Sequence, residues 1–376
     1  MIDKNIDWKF PSTFEEMEER FPITRDMQAC DQNPEFHKEG DVWTHTKMVI
    51  DNVRADDEWQ KLSPIEREIV VAAAFCHDMA KPKVSTVEEG RIRTHKHSVV
   101  GARMVRDIFW NPSSPNYYPA PWEIREMVSN MVLLHMLPFR FLDKENPLYS
   151  VGAASQVLNN RLLSILGKAD TSGRVCKDPA VTQDGVDMVQ LFREYCFEKC
   201  CLDEPMLFQS DNARFRFFFE RRGDPCIDFY EPIKGTVIMM AGLQGSGKDY
   251  TIQKMYNKLP MVGFDAIRMK LEQKFGEDEP KVQQELKEQT KVYMRKGQDF
   301  VFNATNLIKD IRSTWIRRFR QYGYRIKIHY IEKSLAQTFA NNKSRKYIVP
   351  ESIILEKFAR IDVPTLLECH ELEKDV

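Results

Sequence analysis

At 376 residues, with 30% charged and 42% hydrophobic side chains, the chain is too long for one ordinary core and too apolar for disorder, so two globular domains are expected. It contains no run long enough to span a membrane, no secretion signal and no CxxC pair among its eight cysteines; free thiols and a cytoplasmic location, with no membrane partner, are the expectation. The net charge of −1 conceals a division, because residues 233–376 hold 26 Lys and Arg against 18 Asp and Glu, which makes that part the better candidate for a phosphate-rich partner.

Up to about Leu202 the pattern is helical, with apolar residues at three- and four-residue spacing in Glu66 to Met79, Val99 to Phe109 and Val157 to Leu166. An all-α first domain over residues 1–204 is predicted. Six of the eight histidines lie between His37 and His135. A single histidine on an apolar helix is more often a hydrogen-bonded core residue than a ligand. The ordered set is more specific: His45, the pair His77-Asp78, His97, His135, and Asp170 within Lys168-Ala-Asp170-Thr-Ser-Gly-Arg174. Neighbours such as His77 and Asp78 can both face inward where a helix widens or ends, as the approach to Pro82 suggests. Imidazole and carboxylate together suit a divalent transition metal.

This order of H, HD, H, H and D resembles the HD superfamily of metal-dependent phosphohydrolases. The resemblance covers about Thr44 to Arg174 and implies a first metal on His45, His77, Asp78 and Asp170. His97 and His135 match positions that bind a second metal or contact phosphate, whereas His95 stands two residues too early. One or two divalent ions (Mn, Fe, Co, Ni or Zn) are implied, with Lys81 or Arg174 offsetting charge on the phosphoryl oxygens.

Residues 205–232, rich in Phe, Arg, Asp and Pro, read as a connector. Beyond it, β-type runs alternate with helical ones: Thr236 to Ala241 then Lys248 to Lys258, Phe300 to Asn303 then Asp310 to Tyr322, and Arg325 to Ile331 then Leu335 to Lys343. That rhythm predicts an α/β domain over 233–376 with a central parallel sheet. The first strand runs into Gly242-Leu-Gln-Gly245-Ser246-Gly247-Lys248-Asp249. Strand, glycine-rich loop, lysine and helix in this register form a phosphate-binding loop, with backbone N–H groups and Lys248 on the phosphates of a nucleotide. Asp249 stands where a Mg²⁺-binding hydroxyl is usual, and a carboxylate can serve that ion as well.

Downstream lie Asp265 and Arg268 as a DxxR pair, then Asn303-Ala-Thr305-Asn306, then Asn341 and Arg345. With the loop they resemble the kinase domain of polynucleotide 5′-kinases over most of 235–360. The resemblance implies Asp265 as general base for a 5′-hydroxyl, and Arg268 and Asn306 as contacts to the nucleic acid. It further implies Arg345 as a lid arginine beside the transferring phosphoryl. Asn303 replaces the motif's acid and Asn341 the first lid arginine, for which Arg312 or Lys343 could compensate. Arg312 also belongs to a basic segment from Lys309 to Lys327 suited either to a polymer or to a solvated helix face.

The two halves together resemble the bacterial HD-Pnk group. That implies ATP or another NTP with Mg²⁺, RNA or DNA ends carrying 5′-OH and 2′,3′-cyclic or 3′-phosphate, and a ligase downstream. Two other readings stay open: a nucleotidase joined to a nucleoside kinase, and a hydrolase gated by a nucleotide-sensing loop.

Overall fold

The computed structural model describes residues 2–273, 278–345 and 348–376. The chain divides into two compact units, Met1–Leu207 and Phe208–Val376. Among the described residues no helix is long and apolar enough to cross a membrane.

The first unit is helical. Helix α1 (Val42–Ala55) starts at Asp41, whose carboxylate accepts from the Thr44 amide at 2.9 Å. Helix α2 (Pro64–Cys76) starts with a Ser63–Glu66 capping box and a proline in its first turn. Its residues Ile69 to Cys76 are all buried. An α-helix apolar on every side belongs in the middle of a core, and α2 packs against α1 and the later helices. Phe75 of α2 meets Phe21 at 4.8 Å and Trp43 at 5.8 Å between ring centres. Helices α3 (His97–Trp110), α4 (Trp122–Leu134) and α5 (Asn160–Ser172) complete the bundle around it. The departure from an all-helical unit is a two-stranded antiparallel hairpin, β1 (Ser85–Glu88) and β2 (Arg91–Thr94), turned at Glu89-Gly90, both with positive φ.

The second unit holds a five-stranded, wholly parallel sheet in the order β4-β5-β3-β6-β7. Its strands are β3 (Gly235–Ala241), β4 (Met261–Gly263), β5 (Phe300–Asn303), β6 (Tyr324–Ile331) and β7 (Glu371–Asp375). Strand β3 is apolar almost throughout, as a central strand covered on both faces must be. The chain passes from β3 to β4 and β5 on one side and then crosses to β6 and β7 on the other. The carboxyl end of β3 is therefore the switch point where such sheets take their ligands. Residues read from sequence as a connector fall with this unit from Phe208 onward and include a helix, Asp211–Phe218, whose Phe215 stacks on His370 at 4.1 Å.

His370 is buried, and its Nδ1 accepts from the Ile326 amide at 3.1 Å. Burial, reinforced by Arg320 and Arg325, pushes its pKa from 6.5 down to about 3. The unfolded chain protonates this ring first as pH falls, so stability is lost on acidification from about 6.5 toward 3. At pH 5 the loss is expected to be about 2 kcal/mol for this group. Urea unfolding at pH 7.5 and 5.0 checks it. His370→Asn, which keeps an acceptor for Ile326, should lose less stability between these pH values than the wild type.

Candidate active sites

In the first unit, five helices deliver one cluster. Helix α2 stops at Cys76, and the turn that follows lets His77 and Asp78 face the same point, as expected from the nearby Pro82. His45 comes from α1, His97 from the first turn of α3, His135 from the residue after α4, and Asp170 from α5. The Nδ1 atoms of His77, His97 and His135 donate to the carbonyls of Ala74, Thr94 and Val132 at 2.7, 2.9 and 2.8 Å. That fixes one tautomer for all three and turns each Nε2 lone pair toward the centre.

Around the centre, Asp78 Oδ2 lies 3.2 Å from His77 Nε2 and 3.8 Å from His45 Nε2, while its Oδ1 lies 3.6 Å from His97 Nε2. Asp170 Oδ1 lies 3.2 Å from His45 Nε2 and 4.0 Å from His77 Nε2. His97 and His135 face each other, Nε2 to Nε2, at 3.1 Å. Two donor groups, His45-His77-Asp78 and Asp78-His97-His135, share Asp78, and a third, His37-Glu39-His45, adjoins them through His45. His77 Nε2 is buried without a hydrogen-bond partner among the described residues. A buried lone pair left unsatisfied among carboxylates and imidazoles fits a metal ligand.

The charges are arranged for the same purpose. Burial alone would raise the Asp78 pKa, but Lys81 and His77 outweigh it and hold the carboxylate well below its usual range. For Asp170 burial is likewise outweighed, by Arg174 and His45. Burial and neighbouring His97 push His135 down to about 4, leaving it neutral at ordinary pH. Lys81 Nζ contacts Asp78 Oδ2 and Gln32 Oε1, each at 2.6 Å. Arg174 is committed to Asp170 through two hydrogen bonds of 3.1 and 2.6 Å, so Lys81 is the better placed of the two cations to meet a phosphoryl oxygen. His95 is exposed and pairs with Glu88, away from the cluster. Sequence reasoning missed Glu39: its Oε1 holds Nδ1 of His37 at 2.7 Å and of His45 at 3.1 Å, orienting His45.

In the second unit, the loop after β3 precedes the helix Lys248–Met255. Gly245 has φ +86°, and a Cβ there would collide with the Thr338 carbonyl oxygen, so only glycine fits. Ser246 Oγ and Gln244 Oε1 are buried without partners among the described residues, and Lys248 Nζ turns back onto the carbonyls of Gly242 and Leu243 at 3.0 and 2.7 Å. Burial pushes its pKa down to about 8. A glycine-rich loop opening a helix, a hydroxyl without a partner among the described residues and an ammonium resting on carbonyls fit the phosphates of a nucleotide. Asp249 is exposed and accepts from Asn303 Nδ2 at 2.8 Å, so the two residues that depart from the usual motifs bond to each other. Asn341 Nδ2 donates to the Gly245 carbonyl at 2.8 Å and braces the loop. Lys343 is exposed beside Glu351.

Asp265 follows β4, one residue into the helix Phe264–Lys270. Its carboxylate accepts from Arg268 at 3.2 Å and from Arg345 at 2.8 Å. Gly263 at the end of β4 pairs with Asn303, which bonds to Asp249 at the start of the loop's helix, so Asp265 follows close to the loop; Asp265 and Arg345 act on the Lys248 charge in opposite directions. Arg268 also pairs with Glu279 at 2.7 Å. For Lys357, which no motif marked, burial and Arg268 lower the pKa while Asp265, Glu356 and Glu279 oppose them.

Two expected nucleic-acid contacts are corrected. Arg312 is fully buried, with Glu368 on two of its nitrogens at 2.9 and 2.8 Å and the carbonyls of Asn306 and Asp362 on the third. It cannot reach a polynucleotide or replace a lid arginine. Asn306 is 3% exposed, at φ +46°, and its amide donates to the Met240 carbonyl at 2.7 Å. Its turn is tied to the loop, since the Thr305 carbonyl accepts from the Gly242 amide at 2.9 Å. Of the other cations of the basic segment, Arg320 pairs with Glu220 and Glu231, Arg325 with Asp211, and Lys327 with Glu371 and Glu373, while Arg317 and Arg318 lie over the rings of Phe219 and Trp315. Arg312→Ala should therefore cost about 3–5 kcal/mol of stability by stranding Glu368. Urea unfolding measures it. A nucleic-acid contact would instead leave stability intact and lower the salt dependence of binding.

The HD domain family matches residues 42–163, and the AAA domain family matches residues 237–364. A search of curated proteins found no match. Among solved structures, the crystal structure of a gluconokinase from Sinorhizobium meliloti 1021 is similar over 35% of this chain and 78% of that one, at 14% identity and a TM-score of 0.25. The chain thus carries an HD domain followed by an AAA domain of the P-loop kinase-like kind.

Proposed function

We propose that the chain is a bifunctional nucleic-acid end-healing enzyme. The second unit transfers the γ-phosphoryl group of ATP or another NTP to a 5′-hydroxyl, and the first hydrolyses a 2′,3′-cyclic or 3′-phosphate.

The observation that carries this reading is Asp265 held between Arg268 and Arg345 beside the phosphate loop. A carboxylate there can take the proton of an acceptor hydroxyl as its oxygen attacks the γ-phosphorus and the β,γ-bridging bond breaks. The two arginines are then released to phosphate oxygens of the acceptor and of the transferring group. A nucleotide sensor needs no such base. In the first unit, His45, His77, Asp78, His97, His135 and Asp170 would hold one or two divalent transition ions. Such ions lower the pKa of water and polarise a phosphoryl oxygen. Lys81 adds a positive charge next to Asp78.

Steady-state phosphoryl transfer tests the acceptor class. A 5′-OH oligonucleotide should be phosphorylated with a kcat/KM at least about 100-fold above that of a free nucleoside, as expected where polymer phosphates contribute to binding. Asp265→Asn should lower kcat by about 100-fold or more. Preference for the free nucleoside would point to small-molecule metabolism instead.

A further inference from the structure

A cavity of about 720 Å³ opens over the histidine cluster. Lys81 and His97 line it, so it leads to the donor groups described above. One wall is β2 with the turn after it, carrying Arg93 and Lys96, and another is the segment after α4, carrying Arg140 and Lys144. Among the described residues of the lining, one carboxylate, Asp31, stands against these four cations. All four are exposed and none forms an ion pair among the described residues, although Glu88 on the facing strand of the hairpin interacts with the Arg93 charge. Exposed apolar groups share the cavity, Phe36 at 39% and Leu133 at 38% exposure.

Unpaired cations converging on a phosphohydrolase site cost self-repulsion that a polyanion would relieve. An aromatic face beside them suits a base. The volume lies in the upper part of the range for a whole small-molecule ligand, which leaves room beyond one terminal phosphate. We infer that this cavity binds the 3′-terminal segment of a polynucleotide. The terminal phosphate lies at Lys81 and His97, and the adjoining phosphodiesters lie on Arg93, Lys96, Arg140 and Lys144. The hairpin then has two tasks, since the carbonyl of Thr94 also orients the His97 ring. The inference rests on the end-healing reading and adds to it where the strand lies.

The test uses the full chain loaded with Mn²⁺ and two substrates, a short RNA with phosphate at both ends and a nucleoside 3′-monophosphate. One variant combines Arg93→Gln with Lys96→Asn, asparagine being chosen because Lys96 sits at φ +60°. The other combines Arg140→Gln with Lys144→Gln. Each should raise KM for the RNA by about 10- to 100-fold while kcat changes by no more than about threefold. The salt slope should fall by about 1 for every phosphate that the variant no longer neutralises. Mononucleotide hydrolysis should stay at the wild-type level. An unchanged KM for RNA would overturn the inference and leave the phosphatase reading standing. Equal losses on both substrates would overturn it too, because the cations would then act on the reacting phosphate. A wild type inactive on both substrates would overturn the end-healing reading and this inference together.

Discussion

Asp78→Asn is expected to remove the phosphohydrolase activity by about a thousandfold or more and to leave phosphoryl transfer to a 5′-hydroxyl at its wild-type rate. Asp78 belongs to two of the donor groups, with one oxygen toward His45 and His77 and the other toward His97. Removing its charge weakens both groups at once, so transition metal retained after dialysis, read by elemental mass spectrometry, should fall with activity. The same change leaves the buried Lys81 ammonium facing only Gln32 and the new amide, so a second variant separates chemistry from folding. His97→Gln touches a single donor group and spares Lys81. Retention of full hydrolysis by both variants would exclude the cluster as the reaction centre.

Lys248→Ala is expected to produce the opposite split, with 5′-phosphorylation down by about a thousandfold and hydrolysis intact. Its ammonium is the charge at the switch point of the sheet, drawn back onto the Gly242 and Leu243 carbonyls and pushed down to about 8 by burial. Nucleotide phosphates would draw it forward and raise that pKa again. The stabilisation of the protein by ATP and Mg²⁺ in a thermal melt should shrink accordingly. A single substitution that abolished both reactions in a folded chain would contradict two independent sites.

The parallel sheet, the phosphate loop and the inward-facing set from His45 to Asp170 were legible in the sequence because each depends on local pattern. An apolar strand before a glycine-rich loop and a helix ending at His77-Asp78 are properties of a few consecutive residues. Arg312 shows what was readable and overlooked. It lies three, four and seven residues before Trp315, Ile316 and Phe319, on the buried face of the helix Lys309–Gln321, where an arginine needs a partner. That partner, Glu368, is 56 residues away and no period announces it. Glu39 was hidden for a similar reason, since what it orients depends on tertiary packing of a segment with no regular repeat. Strand β7, Glu371–Asp375, is largely charged and sits at the sheet edge, where alternation is weakest and charge is common.

The most direct test of the whole account is a short RNA bearing a 5′-OH and a 2′,3′-cyclic phosphate, incubated with the protein, ATP, Mg²⁺ and Mn²⁺. Intact mass spectrometry with fragmentation reads both ends. The account predicts a gained 5′-phosphate and a lost 3′-terminal phosphate on the same molecule. An RNA with both ends unchanged, under conditions where free nucleosides or nucleotides are converted, would contradict it.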